Sequence, residues 1–299
     1  MDKILIRGGK PLKGAVQVRG AKNAALPLMA AAILAESPST LHNVPCLHDI
    51  FSMDKLLSHM GVSIEFTGRY MVLDASKGVE PVAPYDLVRK MRASFFVLGP
   101  LLARFGRARV SLPGGCAIGT RPVDIHLKGL EALGAKIHLD EGYVVAEGRL
   151  KGAQFALDFP SVGATETLMM AACRADGLTR LTNVAREQEI EDLARFLNAL
   201  GAQISGAGTD MITVVGVDAL GGAEHVVIPD RIEAGTFLAA GVATRGDVTV
   251  LNANAEHLPG FLAKLAEAGA EIEARGGRIR AAAPNGVRAV DVTTLPYPG

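Results

Sequence analysis

The chain has 299 residues, room for one large or two ordinary domains, and its 49% hydrophobic content with 5% aromatics and no Trp implies an aliphatic core. Lys plus Arg equals Asp plus Glu at 31 each, so net charge argues against broad binding to nucleic acid or an anionic membrane, though a local basic site for a small anion is permitted. Three cysteines (Cys46, Cys116, Cys173) are too few and too far apart for a disulfide framework or a Cys-based zinc site.

The N-terminal MDKILIRGGKPLKG lacks the apolar stretch of a signal peptide. The longest apolar run, Ala24 to Ala35, falls short of the ~20 residues of a membrane span and contains Pro27, so a soluble, cytoplasmic chain is expected. From Lys13 onward the sequence repeats. Each unit holds a nearly all-apolar helix, a strand, an amphipathic helix and then alternating residues that read as paired strands.

The apolar helices are AALPLMAAAILAE, ASFFVLGPLLARFG, ATETLMMAACRADG and AGTFLAAGVATRG; strands TLHNV, ARVSL, TRLTNV and DVTVLNA follow them. Each amphipathic helix ends at a glycine (Gly61, Gly134, Gly201, Gly269), and these lie 73, 67 and 68 residues apart. A glycine there fits a left-handed residue just past a helix end. Units start near Lys13, Gly78, Lys151 and Gly222, and a fifth opens at Gly286, so the chain reads as α/β and its end as that of a truncated product or a fragment.

The repeat breaks once. Asn43 to Gly61 and Asn183 to Gly201 each span 18 residues and Asn252 to Gly269 spans 17, whereas Leu112 to Gly134 spans 22. The excess falls in LPGGCAIGTRP, which carries Cys116 and Arg121 among Gly114, Gly115 and Gly119. A glycine-hinged excursion suits an active-site lid, and Arg121 could tune the thiol; an ordinary surface loop with an incidental cysteine fits equally. Cys46 and Cys173 read as inert packing residues.

The apolar helices start at equivalent points with GAKNAAL, RKMRASF, VGATETL and RIEAGTF. Converging helix starts, with Lys22 and Arg92 at two of them, would favour an anionic ligand; either cation alone reads as a solvated flanking charge. Asp230 and Glu233 have capping-box spacing. His126 and Lys128 read as surface or satisfied packing, and His42, Cys46 and His48 lack metal-ligand spacing, so no metal is expected.

GAKNAALPLMAA, LVRKMRASFFVLGPLLARFG, SLPGGCAIGTRPVDIHLKGLEALGA, SVGATETLMMAA and PDRIEAGTF together resemble the UDP-N-acetylglucosamine 1-carboxyvinyltransferases of peptidoglycan synthesis, in register along essentially the whole chain. The resemblance implies an inside-out α/β barrel of repeated units around buried helices. Residues 22–229 would form a complete domain, and 1–21 with 230–299 an incomplete second one. It implies enolpyruvyl transfer from phosphoenolpyruvate to the 3-hydroxyl of UDP-N-acetylglucosamine with release of phosphate, no cofactor, and a monomer for the full-length form. By resemblance Cys116 is the acid and can add covalently to the enolpyruvyl carbon, while Lys22, Asn23 and Arg121 hold phosphoenolpyruvate. Arg92, Arg121, Pro122, Val123, Asp124 and Ile125 would contact the UDP-sugar, with Ser161, Val162 and Gly163 at its diphosphate.

Two departures stand out. Phe159 and Pro160 occupy the point where many relatives place a lysine, and the family's carboxylate base lies beyond Gly299. A catalytically incompetent UDP-sugar-binding paralogue and the shikimate-pathway enolpyruvyl transferase are the competing expectations. The pair Lys22-Asn23 and the Cys116 segment speak against the second. Neutral charge balance disfavours an RNA-end-processing relative.

Overall fold

The computed structural model describes residues 3–89, 91–113 and 123–297. The chain opens with β1 (Lys13–Gln17) and α1 (Lys22–Ala31), which tightens into a 3-10 turn at Ala32–Leu34. β2 (Ser39–His42), α2 (His48–His59), β3 (Ser63–Phe66) and β4 (Tyr70–Asp74) complete the first repeat. The second holds β5 (Val82–Ala83), single-turn α3 (Tyr85–Val88), a 3-10 segment Arg92–Val97, α4 (Leu98–Phe105), β6 (Arg107–Ser111), α5 (Asp124–Ala132), β7 (Lys136–Asp140) and β8 (Tyr143–Glu147). The third has β9 (Gln154–Ala156), α6 (Val162–Ala172), β10 (Leu178–Thr182), α7 (Gln188–Ala199), β11 (Gln203–Ser205) and β12 (Met211–Val215). Last come β13 (Glu224–Val226), α8 (Arg231–Ala243), β14 (Asp247–Leu251), α9 (Pro259–Glu267), β15 (Glu271–Arg275) and β16 (Arg278–Ala282).

Two compact units result, Lys22–Ile228 and Met1–Ala21 with Pro229–Gly299. The first carries three four-stranded sheets in the orders β13-β2-β4-β3, β5-β6-β8-β7 and β9-β10-β12-β11. Each starts with one parallel pair and continues antiparallel. Their central helices are buried: all of α1 from Ala24 to Ala31 and of α6 from Ala164 to Ala172 is shielded from solvent. α4 packs on α6 and on the 3-10 end of α1. A Cβ on Gly99 would stand 2.5 Å from the Thr167 carbonyl oxygen, so glycine is what lets α4 approach α6 that closely. Helices inside and sheets outside make an inside-out α/β barrel.

The second unit has one such sheet, β1-β14-β16-β15. Its core gathers Val18, Leu238, Val242, Val250 and Ile279. Here α8 buries one face, Ala234, Gly235, Leu238, Gly241 and Val242, while Ile232 on another is 53% exposed.

Local punctuation is the same in every repeat. Gly61, Gly134, Gly201 and Gly269 all have φ between 94° and 110°. Behind each, an amide five residues along closes on the helix: Val62 to Leu57, Ala135 to Leu130, Ala202 to Leu197 and Ala270 to Leu265. These are Schellman ends, and they satisfy carbonyls the helix leaves open. Asn43, Asn183 and Asn252 are left-handed too, and their side-chain amides donate to Val227 O at 2.9 Å, Leu157 O at 2.7 Å and Val18 O at 2.9 Å. Each thereby tethers the strand it ends to the chain leaving the parallel neighbour.

In the second repeat Leu112 stands in for that asparagine. The carbonyl matching the asparagine's acceptor is that of Tyr85, and it already accepts from the Arg89 amide at the end of α3. A tether there would have to share its acceptor with that helix.

Candidate functional site

Lys22 and Asn23 open α1, where Pro27 lacks the N–H that would bond the Asn23 carbonyl. The Lys22 ammonium lies 2.8 Å from Asp49 Oδ2, both side chains being a little over one-third exposed. Asp49 sits in the first turn of α2, which packs on α1.

Arg92 does not start an α-helix as the sequence pattern suggested. Residues 92–97 are 3-10, and α4 begins only at Leu98. Pro100 explains the difference: with no N–H it cannot bond the Phe96 carbonyl, so the preceding turn stays out of the α register. A 3-10 start also brings less of the aligned dipole expected at this point.

Ser161 caps α6, its hydroxyl accepting from the Ala164 amide at 3.3 Å. Gly163 faces two side chains: a Cβ there would be 3.2 Å from His126 Nε2 and 3.5 Å from Phe96 Cε1. The His126 ring meets Phe95 edge-on at 5.7 Å. Thus the start of α6, the 92–97 turn and the first turn of α5, with Asp124 and Ile125, share one neighbourhood, and α1 packs on the same turn. Val123 precedes α5 as its N-cap. Phe159, 60% exposed, follows Asp158, whose carboxylate pairs with Lys128 at 3.2 Å. Cys116, Arg121 and Pro122 lie outside the described residues.

Burial pushes the His126 imidazole down to about 4, Arg92 adds to the fall, and the Val123 backbone and Asp124 oppose it. A neutral imidazole is therefore built in beside the α6 start. Its burial fits the packing alternative of the sequence reading and not the surface one, although Nδ1 has no hydrogen-bond partner among the described residues. Glu166 went unremarked in the sequence, although it is the lone carboxylate in an otherwise apolar helix. It is fully buried, neither oxygen has a hydrogen-bond partner, and burial followed by the nearby Glu189 and Glu187 holds its pKa well above the carboxylate range.

Of the other cysteines, Cys173 is packed as expected, its thiol donating to Met169 O and pushed up to about 12 by burial. Cys46 is exposed, contrary to expectation. Only Val44 and Pro45 of its turn are buried, and the chain surfaces before α2 begins.

Asp230 caps α8 by accepting from the Ile232 and Glu233 amides at 2.8 and 3.0 Å. Glu233 does not complete a capping box; it accepts from the Arg19 amide at 2.9 Å, and the Asp230 amide goes to Arg19 O. At the C-terminal ends of α4 and α6, a cavity of about 600 Å³ is lined by Arg104, Arg149, Arg174, Asp176 and Asp218 among others. Its arginines serve the fold: Arg104 donates to Ile33, Ala35 and Ala75 carbonyls, Arg149 pairs with Asp176, and Arg174 pairs with Glu36. Among the described residues, no group of three or more His, Cys, Asp or Glu could hold a metal ion, and no helix is long and apolar enough to cross a membrane.

Comparison with known proteins places this arrangement. The family described as EPSP synthase (3-phosphoshikimate 1-carboxyvinyltransferase) matches residues 6–299. A UDP-N-acetylglucosamine 1-carboxyvinyltransferase of Sorangium cellulosum is 54% identical over all of this chain and 71% of its own length. A UDP-N-acetylglucosamine 1-carboxyvinyltransferase 1 of Halalkalibacterium halodurans is 51% identical over all of this chain and 69% of its own. Among solved structures, the enolpyruvyl transferase NikO from Streptomyces tendae superposes with a TM-score of 0.83 at 23% identity, over 93% of this chain and 67% of that one. EPSP synthase from Acinetobacter baumannii gives 0.70 at 22%, over 92% and 64%; at such identities these two speak to fold alone. The chain belongs to the enolpyruvyl transferase family, and within it to the UDP-N-acetylglucosamine 1-carboxyvinyltransferases.

Proposed function

We propose that this chain acts in transfer of the enolpyruvyl group of phosphoenolpyruvate to the 3-hydroxyl of UDP-N-acetylglucosamine, releasing phosphate, the first committed step of peptidoglycan synthesis. The observation that carries the reading is 54% identity along the whole chain to a protein of that name. The division into units Lys22–Ile228 and Met1–Ala21 with Pro229–Gly299 supports treating residues 22–229 as one domain and 1–21 with 230–299 as part of another.

The chemistry sets the requirements. The sugar hydroxyl gives its proton to a base as its oxygen bonds to C2 of phosphoenolpyruvate and C3 takes up a proton; loss of a proton from C3 then restores the double bond as the C2–O bond to phosphate breaks. A general acid is needed at C3, and cations are needed around phosphate and carboxylate. Cys116 takes the acid role in this reading. Lys22, Asn23 and Arg121 hold phosphoenolpyruvate, and Arg92 with residues 121–125 holds the UDP-sugar.

Ser161, Val162 and Gly163 receive the diphosphate. Support comes from the helix start they form, where open amides and the α6 dipole favour negative charge.

The test is phosphate release from phosphoenolpyruvate with either UDP-N-acetylglucosamine or shikimate 3-phosphate as acceptor. Release with the UDP-sugar alone is expected, and Cys116→Ser should abolish alkylation of the thiol. Release only with shikimate 3-phosphate would overturn the reading. Saturable UDP-sugar binding without release would replace it with that of a binding module.

A further inference from the structure

Lys22 occupies an electrostatically awkward place. It is the first residue of α1, where the helix dipole is positive and anions, not cations, are favoured, and the first turn of α1 contains no acidic residue to offset it. The compensation comes from another element: Asp49 Oδ2 stands 2.8 Å from the ammonium. Asp49 is itself favourably placed. It lies in the first turn of α2, whose N-cap Leu47 makes no side-chain capping bond, so its negative charge sits at the positive end of a second dipole. An acid anchored by one helix therefore holds the base at the head of its neighbour.

We propose that Asp49 is a positioning residue that acts through Lys22: it is the resident counter-ion of the ammonium and fixes where the ammonium points, and an arriving phosphate or carboxylate shares or displaces it. This rests on the reading that Lys22 binds phosphoenolpyruvate, and adds the residue that sets its geometry. Two consequences follow. Asp49 opposes ground-state binding of an anion, because any incoming negative charge competes with its carboxylate. It also keeps Lys22 from wandering over its four-carbon stem, which chemistry that depends on near-attack geometry requires. Removing the charge should therefore tighten anion binding and slow turnover together. A substitution that merely loosened the fold would weaken both.

The experiment is a double-mutant cycle on the full chain, read by titration calorimetry with inorganic phosphate and with phosphoenolpyruvate, alongside phosphate-release kinetics. Asp49→Asn should bind both anions more tightly, by up to about fivefold for a partly exposed pair, with the gain diminishing as salt is raised. Its kcat should fall at least tenfold while KM for phosphoenolpyruvate falls as well, and Asp49→Glu should recover most of kcat. In a Lys22→Ala background the Asn substitution should change anion affinity less than twofold. An unchanged affinity in Asp49→Asn, weaker binding, or the same shift in both backgrounds would overturn the proposal. A parent chain that binds inorganic phosphate with the predicted Asp49 dependence but releases none from the two substrates would sink the transferase reading and leave the counter-ion assignment standing. A parent that binds neither anion would sink both.

Discussion

Replacing Glu166 with glutamine should make the protein more stable, and the gain should grow with pH. Glu166 sits in α6 with no accessible surface and both carboxyl oxygens unpartnered, and Glu189 and Glu187 add negative charge nearby. In the unfolded chain the group ionises near 4.5; in the fold its pKa is well above that. Because the folded value is the raised one, its favourable contribution is complete below pH 4.5 and drains away as pH climbs toward the folded pKa. Each pH unit in that window changes the folding equilibrium about tenfold, so the three units from 4.5 to 7.5 bound the loss at about a thousandfold, or roughly 4 kcal/mol. Set against typical domain stabilities of about 5–15 kcal/mol, that is a large fraction. Glutamine has nearly the shape of the protonated acid, with an NH2 in place of the hydroxyl, and nothing to ionise. Urea unfolding of both proteins at pH 5 and pH 7.5, followed by far-UV circular dichroism, isolates the effect as a difference of differences. Curves separated by the same amount at both pH values would refute the argument, since the burial penalty would then not be one of ionisation.

His126 should tilt stability the other way. Its pKa is depressed from 6.5 to about 4, so the protein keeps that contribution above pH 6.5 and loses it as pH falls toward 4, by at most about 300-fold in the folding equilibrium. His126→Asn should flatten the acid limb of the stability profile between those values; an unchanged limb would count against a neutral buried imidazole. Asn183→Ala should cost about 2 kcal/mol, combining a lost hydrogen bond to Leu157 O with the strain of alanine at φ 53°. Denaturant unfolding checks it, and Asn183→Gly, free of the strain, should recover about half.

Much of the architecture could be read before any coordinates because its punctuation is local. A glycine ending each amphipathic helix and an asparagine ending three of the four repeat strands are visible as residue types, and their left-handed backbones and tethers are what those types do. The all-apolar helices likewise announce burial. Three things escaped, the first a local signal and the other two for tertiary reasons. The 3-10 stretch before α4 depends on where Pro100 falls within the first turn of the helix. Glu166 looks like any helix-favouring glutamate until α7 brings Glu189 beside it. Asp49 is an ordinary acidic residue at a helix start, and only the packing of α2 on α1 sets it against Lys22. Cys46 was misjudged since general burial statistics for free thiols say nothing about a turn that rises to the surface.

The carbonyl of Tyr85 has a wider implication. Because the Arg89 amide of α3 has already claimed it, the strand ending at Ser111 makes no side-chain tether to its parallel neighbour, and the connection beyond Leu112 can lengthen without breaking such a fastening. Its three sister positions have no such liberty: an insertion at Asn43, Asn183 or Asn252 would tear out a fastening. A scaffold of near-identical modules thus possesses a single position where novelty is cheap, and the one segment exceeding the repeat length, with its glycines, its thiol and its guanidinium, grows from that spot.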